Sequence, residues 1–244
     1  MSRPEGMRAL NRLNVKIFAD GADRARMLEL HAKPYIRGLT TNPTLMRKAG
    51  ISDYRAFARE VLAEITEKPV CFEVLADEFG EMERQAQEIA SWADNVYVKI
   101  PVCNTRRATS APLIGRLAAR GVKVNVTAIM TLAQVRETLT ALNPMTPSYI
   151  SVFAGRIADT GIDPVPLMAE AVRMLRANTK AQLVWASSRE LFNIFQADAV
   201  GCPVITVTAD ILDKLALIGH DLTEYSLDTV KMFYDDAQSA GFLL

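Results

Sequence analysis

Short runs in which apolar and polar residues alternate recur along the chain, and between them lie stretches whose apolar residues return every third or fourth position. In residues 122–127, Val122, Val124 and Val126 fall on one face and Lys123, Asn125 and Thr127 on the other. The same alternation sets Val96, Val98 and Ile100 against Asn95, Tyr97 and Lys99, and Val70, Phe72 and Val74 against Cys71 and Glu73. Ile150 and Val152 oppose Tyr149, Ser151 and Phe153, while Val15, Ile17 and Ala19 oppose Lys16, Phe18 and Asp20. Successive side chains of a strand point to opposite faces, so these runs predict strands with one mainly apolar face. Strands are predicted at 14–20, 35–39, 69–75, 95–102, 122–126, 148–153, 182–186 and 204–207. Helical spacing predicts helices at 22–32, from 43 onward, and at 53–66, 78–92, 105–120, 132–142, 164–178, 189–198 and 211–217. Pro34, Gly121 and Asn143-Pro144 mark the ends of three of them.

Eight strands alternating with helices in 244 residues is the count of an α/β fold, a single (β/α)8 TIM barrel. An open doubly wound sheet is the main alternative, but no GxGxxG follows the first strand. No Pro/Gly/Ser-rich linker divides the chain, so one domain is expected over 1–244, with a leader at 1–13, the barrel at about 14–218 and an additional C-terminal helix at about 223–240. In a barrel the apolar faces meet the helices. That rule turns Asp20, Glu73, Lys99, Asn125, Thr127 and Ser151 inward, all toward the C-terminal ends of their strands, where barrel enzymes gather their catalytic groups.

Composition narrows the chemistry. Lys plus Arg equals Asp plus Glu at 28 each, so no basic field argues for nucleic acid or an anionic membrane. No apolar run approaches the roughly 20 residues of a membrane span, and the first residues do not resemble a signal peptide, so a cytoplasmic protein is expected. Cys71, Cys103 and Cys202 form no CxxC pair, and His31 and His220 are isolated, so no disulfide framework, metal site or cofactor is indicated.

Lys99 is the residue around which these observations turn. A buried amine without a partner is driven to its neutral, nucleophilic form, which condenses with a ketone to give a Schiff base. The alternative is a lysine whose ammonium reaches solvent from the strand end. With Lys99 as nucleophile, Glu73 suits proton transfer through an ordered water held by Thr127, and Asp20 suits the base that deprotonates the hydroxyl at the cleaved bond. Asn42, Asn125 and Ser151 suit contacts to hydroxyls or to the carbinolamine. Arg156 and the segment Ser187-Ser188-Arg189, where a helix is predicted to begin, have the types and location for a phosphate. Each has a plainer reading: Asp20 and Thr127 as helix caps or hydrogen-bonded interior groups, Arg156 paired with Asp159, and Arg189 paired with Glu190.

The motifs Phe18-Ala19-Asp20, Gly38-Leu39-Thr40-Thr41-Asn42-Pro43-Thr44, Phe72-Glu73-Val74, Val98-Lys99-Ile100-Pro101, Asn125-Val126-Thr127, Ser151 through Ile157 and Ala186-Ser187-Ser188-Arg189 follow one another over residues 14–218. In this order they resemble the transaldolases, especially the short subfamily that includes the fructose 6-phosphate aldolases. The resemblance implies a Schiff base between Lys99 and a ketose phosphate, with a dihydroxyacetone unit retained on the enzyme. It implies Asp20 as the aldol base and Glu73 and Thr127 as the acid/base pair with its water. Thr41, Asn42, Asn125, Ser151 and Phe153 would line the substrate, and Arg156, Ser187 and Arg189 would hold its phosphate. Glu73 and Phe153 stand where the aldolase members have glutamine and tyrosine, which favours transfer to an aldose acceptor over release of free dihydroxyacetone.

Two segments depart from the family pattern. Ser188 replaces an aromatic residue, and Asn104-Thr105-Arg106-Arg107 is unlike the usual sequence, with two arginines suited to meeting an acceptor. The resemblance also implies a homo-oligomer, a pentamer or decamer, with Leu227, Val230, Met232 and Phe233 of the last helix on a neighbour. The competing readings are a lyase releasing free dihydroxyacetone, an aldolase acting on deoxyribose phosphate, and a catalytically silent sugar-phosphate-binding barrel. The deoxyribose phosphate aldolases place a second lysine beside the first, where this chain offers Glu73 and Asn125.

Overall fold

A computed structural model describes residues 10, 12–176 and 180–241. Strands β1 (Lys16–Asp20), β2 (Ile36–Thr40), β3 (Val70–Glu73), β4 (Val96–Pro101), β5 (Val124–Ile129), β6 (Ser148–Val152), β7 (Ala181–Trp185) and β8 (Val204–Thr208) form a closed barrel in sequence order. Every neighbouring pair is parallel, including β1 with β8. The chain is thus a (β/α)8 barrel followed by a C-terminal helix, as its patterning predicts.

The predicted apolar faces are the buried ones. Val70, Phe72, Val98, Ile100, Val124, Val126, Ile150 and Val152 are inaccessible to solvent and pack under the helices. The helices are α1 (Arg24–His31), α2 (Pro43–Lys48), α3 (Tyr54–Glu64), α4 (Phe79–Ala90), α5 (Ala111–Ala119), α6 (Leu132–Ala141), α7 (Ala154–Ala158), α8 (Pro164–Leu175), α9 (Phe192–Ala199), α10 (Ala209–Leu212) and α11 (Leu222–Ala240). In α4, Met82, Ala86 and Ile89 face the sheet as their spacing predicts. The inner face carries a second apolar cluster. Phe18 packs edge-on against Tyr149 at a ring-centroid distance of 5.5 Å and Tyr97 lies tilted against the same ring at 4.4 Å, so that the three fill the lumen below the C-terminal mouth. Gly38 makes room for this plug, since a Cβ there would lie 2.5 Å from the Phe18 ring.

Several boundaries differ from the sequence reading for identifiable reasons. The helix expected from 105 starts at Ala111, because the Asn104 side chain accepts from the amides of Arg106 and Ala108 (3.1 and 2.9 Å) and holds the preceding segment as a loop. The helix expected from 189 starts at Phe192, because the Asn193 side chain accepts from the amides of Arg189 and Glu190 and holds that turn outside the helix. A short helix not foreseen, α7, follows β6 and carries Arg156. The last turns before α11 divide into α10 and a 3-10 segment, Asp213–Leu217. The predicted end of α8 at 178 and most of the leader at 1–13 lie outside the described residues. Gly121 does take the left-handed conformation (φ 80°) that closes α5.

Candidate active site

The C-terminal mouth opens into a cavity of about 480 Å³, within the range of small-molecule sites. Asp20 of β1, Glu73 of β3, Lys99 of β4, Asn125 and Thr127 of β5 and Ser151 of β6 all line it. Strand alternation explains all six positions. Register adds the lateral order: Glu73 lies beside Lys99, which lies beside Asn125. At β5 the alternation breaks, since both Thr127 and Ala128 line the cavity. The pairing with β6 shifts between Val126 and Ile129, and Ala128 is in the left-handed region (φ 62°), a bulge that turns the strand end across the mouth.

Lys99 is 7% exposed. Its Nζ lies 3.1 Å from Glu73 Oε2 and donates to the Thr41 carbonyl at 2.7 Å. The buried amine therefore has partners, which changes the expectation of a neutral lysine. Burial pushes its pKa down, but the charges of Glu73 and Asp20, with smaller contributions from Cys71 and from the hydrogen bond to Glu73, outweigh it, and the resting lysine is an ammonium held above its ordinary range. Asp20 moves up as well: burial and the Glu73 charge disfavour its anion more than Lys99 and the 2.6 Å hydrogen bond from Thr40 favour it. Cys71 lies beneath, with its Sγ 3.5 Å from Asn125 Nδ2, and burial pushes its thiol up to about 11. It is a protonated floor rather than a second nucleophile.

Around this centre, Asn125 Oδ1 accepts from Ser151 Oγ at 2.7 Å. Asn42 caps α2 by accepting from the Leu45 amide at 3.0 Å, which leaves its NH2 group to face the cavity it lines. Thr41 reaches the site through its carbonyl; its side chain is buried, while its neighbour Thr40 lines the cavity. Phe153, Arg156, Ser187, Ser188 and Arg189 form the opposite wall. Arg156 lies over the Phe153 ring, 5.9 Å from its centroid. Asp159 pairs with Arg189, through Nε at 3.1 Å and also through Nη2, so neither plainer pairing expected for these arginines is the one formed. Ser187 adopts a left-handed conformation (φ 62°) where α7 meets the β7–α9 loop backbone to backbone. A Cβ at Gly155 would stand 1.6 Å from the Ser187 carbonyl oxygen.

Some lining residues escaped the sequence reading. Thr206 and Thr208 alternate with Val207 on β8 and turn inward by the same parity rule. Ser188, already singled out in the sequence, is buried with its hydroxyl donating to the Thr206 carbonyl at 2.7 Å. Arg106 and Arg107 do not line the cavity; Arg106 pairs with Glu78 at 2.6 Å.

A closed parallel barrel with a buried lysine and two half-buried carboxylates at its C-terminal mouth has the form of a barrel enzyme working on a small polar substrate. The family model described as transaldolase/fructose-6-phosphate aldolase matches residues 17–244, and the chain belongs to that family. A protein named probable transaldolase from Dehalococcoides mccartyi is 33% identical over 211 residues, which cover 86% of this chain and 93% of that protein. A second of the same name, from Methanococcus maripaludis, is 32% identical over 215 residues (88% and 94%), and a third, from Bdellovibrio bacteriovorus, is 30% identical over 227 residues (93% and 99%). Membership places the protein among enzymes of the aldolase/transaldolase type, whose substrates are sugar phosphates. Among the described residues no helix is long and apolar enough to cross a membrane.

Proposed function

We propose that the protein is a transaldolase-type transferase that moves a dihydroxyacetone unit from a ketose phosphate to an aldose phosphate through a Schiff base on Lys99. The observation that carries this reading is the contact of a buried lysine with Glu73, in a cavity that also holds Asp20. An ammonium is not a nucleophile, so the proton must leave as the ketone arrives, and Glu73 at 3.1 Å is placed to take it. The neutral amine adds to the carbonyl carbon. The carbinolamine hydroxyl then leaves as water with a proton supplied from Glu73, through a water held by Thr127, and the iminium remains. Asp20, whose raised pKa makes it a better base than an ordinary carboxylate, takes the proton of the hydroxyl at the bond to be broken. The carbon–carbon electron pair passes into the iminium, the aldose departs and an enamine stays on Lys99. Addition of the enamine to the acceptor aldehyde, with Asp20 returning its proton, reverses the sequence.

Asn42, Asn125 and Ser151 would orient hydroxyls, since each carries a hydrogen-bonding group on the cavity wall. Thr41 would hold the resting amine through its carbonyl. Phe153 would steer Arg156 toward the phosphate, with Ser187 and the Asp159-held Arg189 completing that pocket. We further propose a cytoplasmic homo-oligomer, a pentamer or decamer, since α11 buries none of its residues and exposes Leu227, Val230, Met232 and Phe233. The test is product analysis with fructose 6-phosphate and triose, tetrose or pentose phosphate acceptors. A new ketose phosphate formed in step with loss of acceptor supports transfer. Free dihydroxyacetone released at the same rate with or without acceptor refutes it.

A further inference from the structure

One contact to the active site comes from outside the barrel. Tyr54 opens α3, with its ring packed edge-on against Phe72 and Trp92 at centroid distances of 6.0 and 5.7 Å. Its hydroxyl accepts from the backbone N–H of Glu73 at 2.7 Å and donates to the carbonyl of the same residue at 2.9 Å. The sheet explains why a side chain is needed there. Val74 donates to the Lys99 carbonyl at 3.1 Å, so the backbone of the alternate residue Glu73 points the other way, toward β2. But β2 pairs with β3 only at Leu39 with Val70 and Thr40 with Cys71, and the chain then turns at Asn42-Pro43 into α2. Without Tyr54 both backbone groups of Glu73 would be left unpaired in a largely buried place, at the cost such groups carry.

We infer that Tyr54 is a positioning residue: its hydroxyl fixes the end of β3 and so holds the Glu73 carboxylate against the Lys99 amine. The inference deepens the proposed function, because it assigns the placement of the group that takes the lysine proton. The charged and titratable groups facing Lys99 are Glu73 and Cys71 from β3 and Asp20 from β1, with the Thr41 carbonyl beside them and Asn125 the uncharged neighbour on β5. Of these, Tyr54 touches only Glu73. Removing its hydroxyl should therefore act on Lys99 through Glu73 alone.

The test is a double-mutant cycle on the full chain with Tyr54→Phe, which keeps the ring in its packing, and Glu73→Gln. The readout is the rate at which formaldehyde and cyanoborohydride methylate Lys99, followed by peptide mass from pH 7 to 9, which reports the neutral fraction of the amine. Tyr54→Phe removes both hydrogen bonds to the Glu73 backbone, and the loss of even one corresponds to about a five- to tenfold change. Tyr54→Phe is expected to raise the Lys99 rate by about that factor in the Glu73 protein and to leave it unchanged in the Glu73→Gln background. An equal change in both backgrounds, or none in either, overturns the inference. Turnover of fructose 6-phosphate by the unmutated protein, measured alongside, reads the proposed function separately: absent turnover counts against that function, while the ratio of methylation rates still decides the role of Tyr54.

Discussion

Replacing Lys99 with methionine tests whether its ammonium supports the fold as well as the chemistry. The substitution keeps volume and removes the cation that, among the described residues, contacts Glu73 and lies near Asp20. At 3.1 Å and an effective dielectric constant of about 20, the attraction to Glu73 is about 332/(20 × 3.1), or about 5 kcal/mol before desolvation. Breaking a buried pair by removing one partner costs about 3–5 kcal/mol, and the side chains here are 9% and 18% exposed, which places the loss near the lower figure, about 3 kcal/mol. For a chain of this size that is a fall in Tm of roughly 6–12 °C near pH 8.

The pH dependence carries the sign. The folded-state pKa of Asp20 is already raised, so its contribution to stability is greatest below the ordinary aspartate range and is lost as pH rises through the folded value. Lys99 lowers that value, so its removal raises it further and extends the loss toward neutral pH. Differential scanning calorimetry of both proteins should show the gap in Tm wide at pH 8 and narrowing toward pH 5, as the Asp20 carboxylate left without Lys99 takes up its proton. A gap that stays constant across that range, or a variant more stable than its parent at pH 8, would refute the electrostatic account of the cluster.

Asp20→Asn should slow turnover by about 10²–10⁴-fold, the usual contribution of a general base, while borohydride still traps the uncleaved donor on Lys99; mass analysis of the adduct checks this. Arg156→Ala should raise KM for phosphorylated donors about tenfold or more, as loss of a charge-assisted hydrogen bond implies, and leave KM for dihydroxyacetone unaffected, by steady-state kinetics. Gly155→Ala should lower Tm by well over the few degrees of an ordinary surface change, because its Cβ would stand 1.6 Å from the Ser187 carbonyl oxygen and the two loops must separate.

Much of the mouth was readable from alternation alone, because Asp20, Glu73, Lys99, Asn125 and Ser151 sit in strands whose other face is apolar, Ser148 at the start of β6 excepted. The same rule reaches Thr206 and Thr208 once β8 is carried to its end, and Thr40 once β2 is carried one residue further. Three features had no such signal. The protonation of Lys99 depends on carboxylates from two other strands and on their distances. The exchange of Asp159 from Arg156 to Arg189 depends on how α7 approaches the β7–α9 loop. Tyr54 acts at a gap in the sheet, and nothing in its local sequence distinguishes it from an aromatic residue that only packs.

The central claim is a Schiff base on Lys99, and it is tested most directly by borohydride reduction of the protein with fructose 6-phosphate followed by peptide mapping. The account predicts a reduced three-carbon adduct on Lys99 that diminishes when an aldose phosphate acceptor is added. A protein that turns over the same substrates with no mass added to Lys99, or with the adduct on another residue, would contradict it.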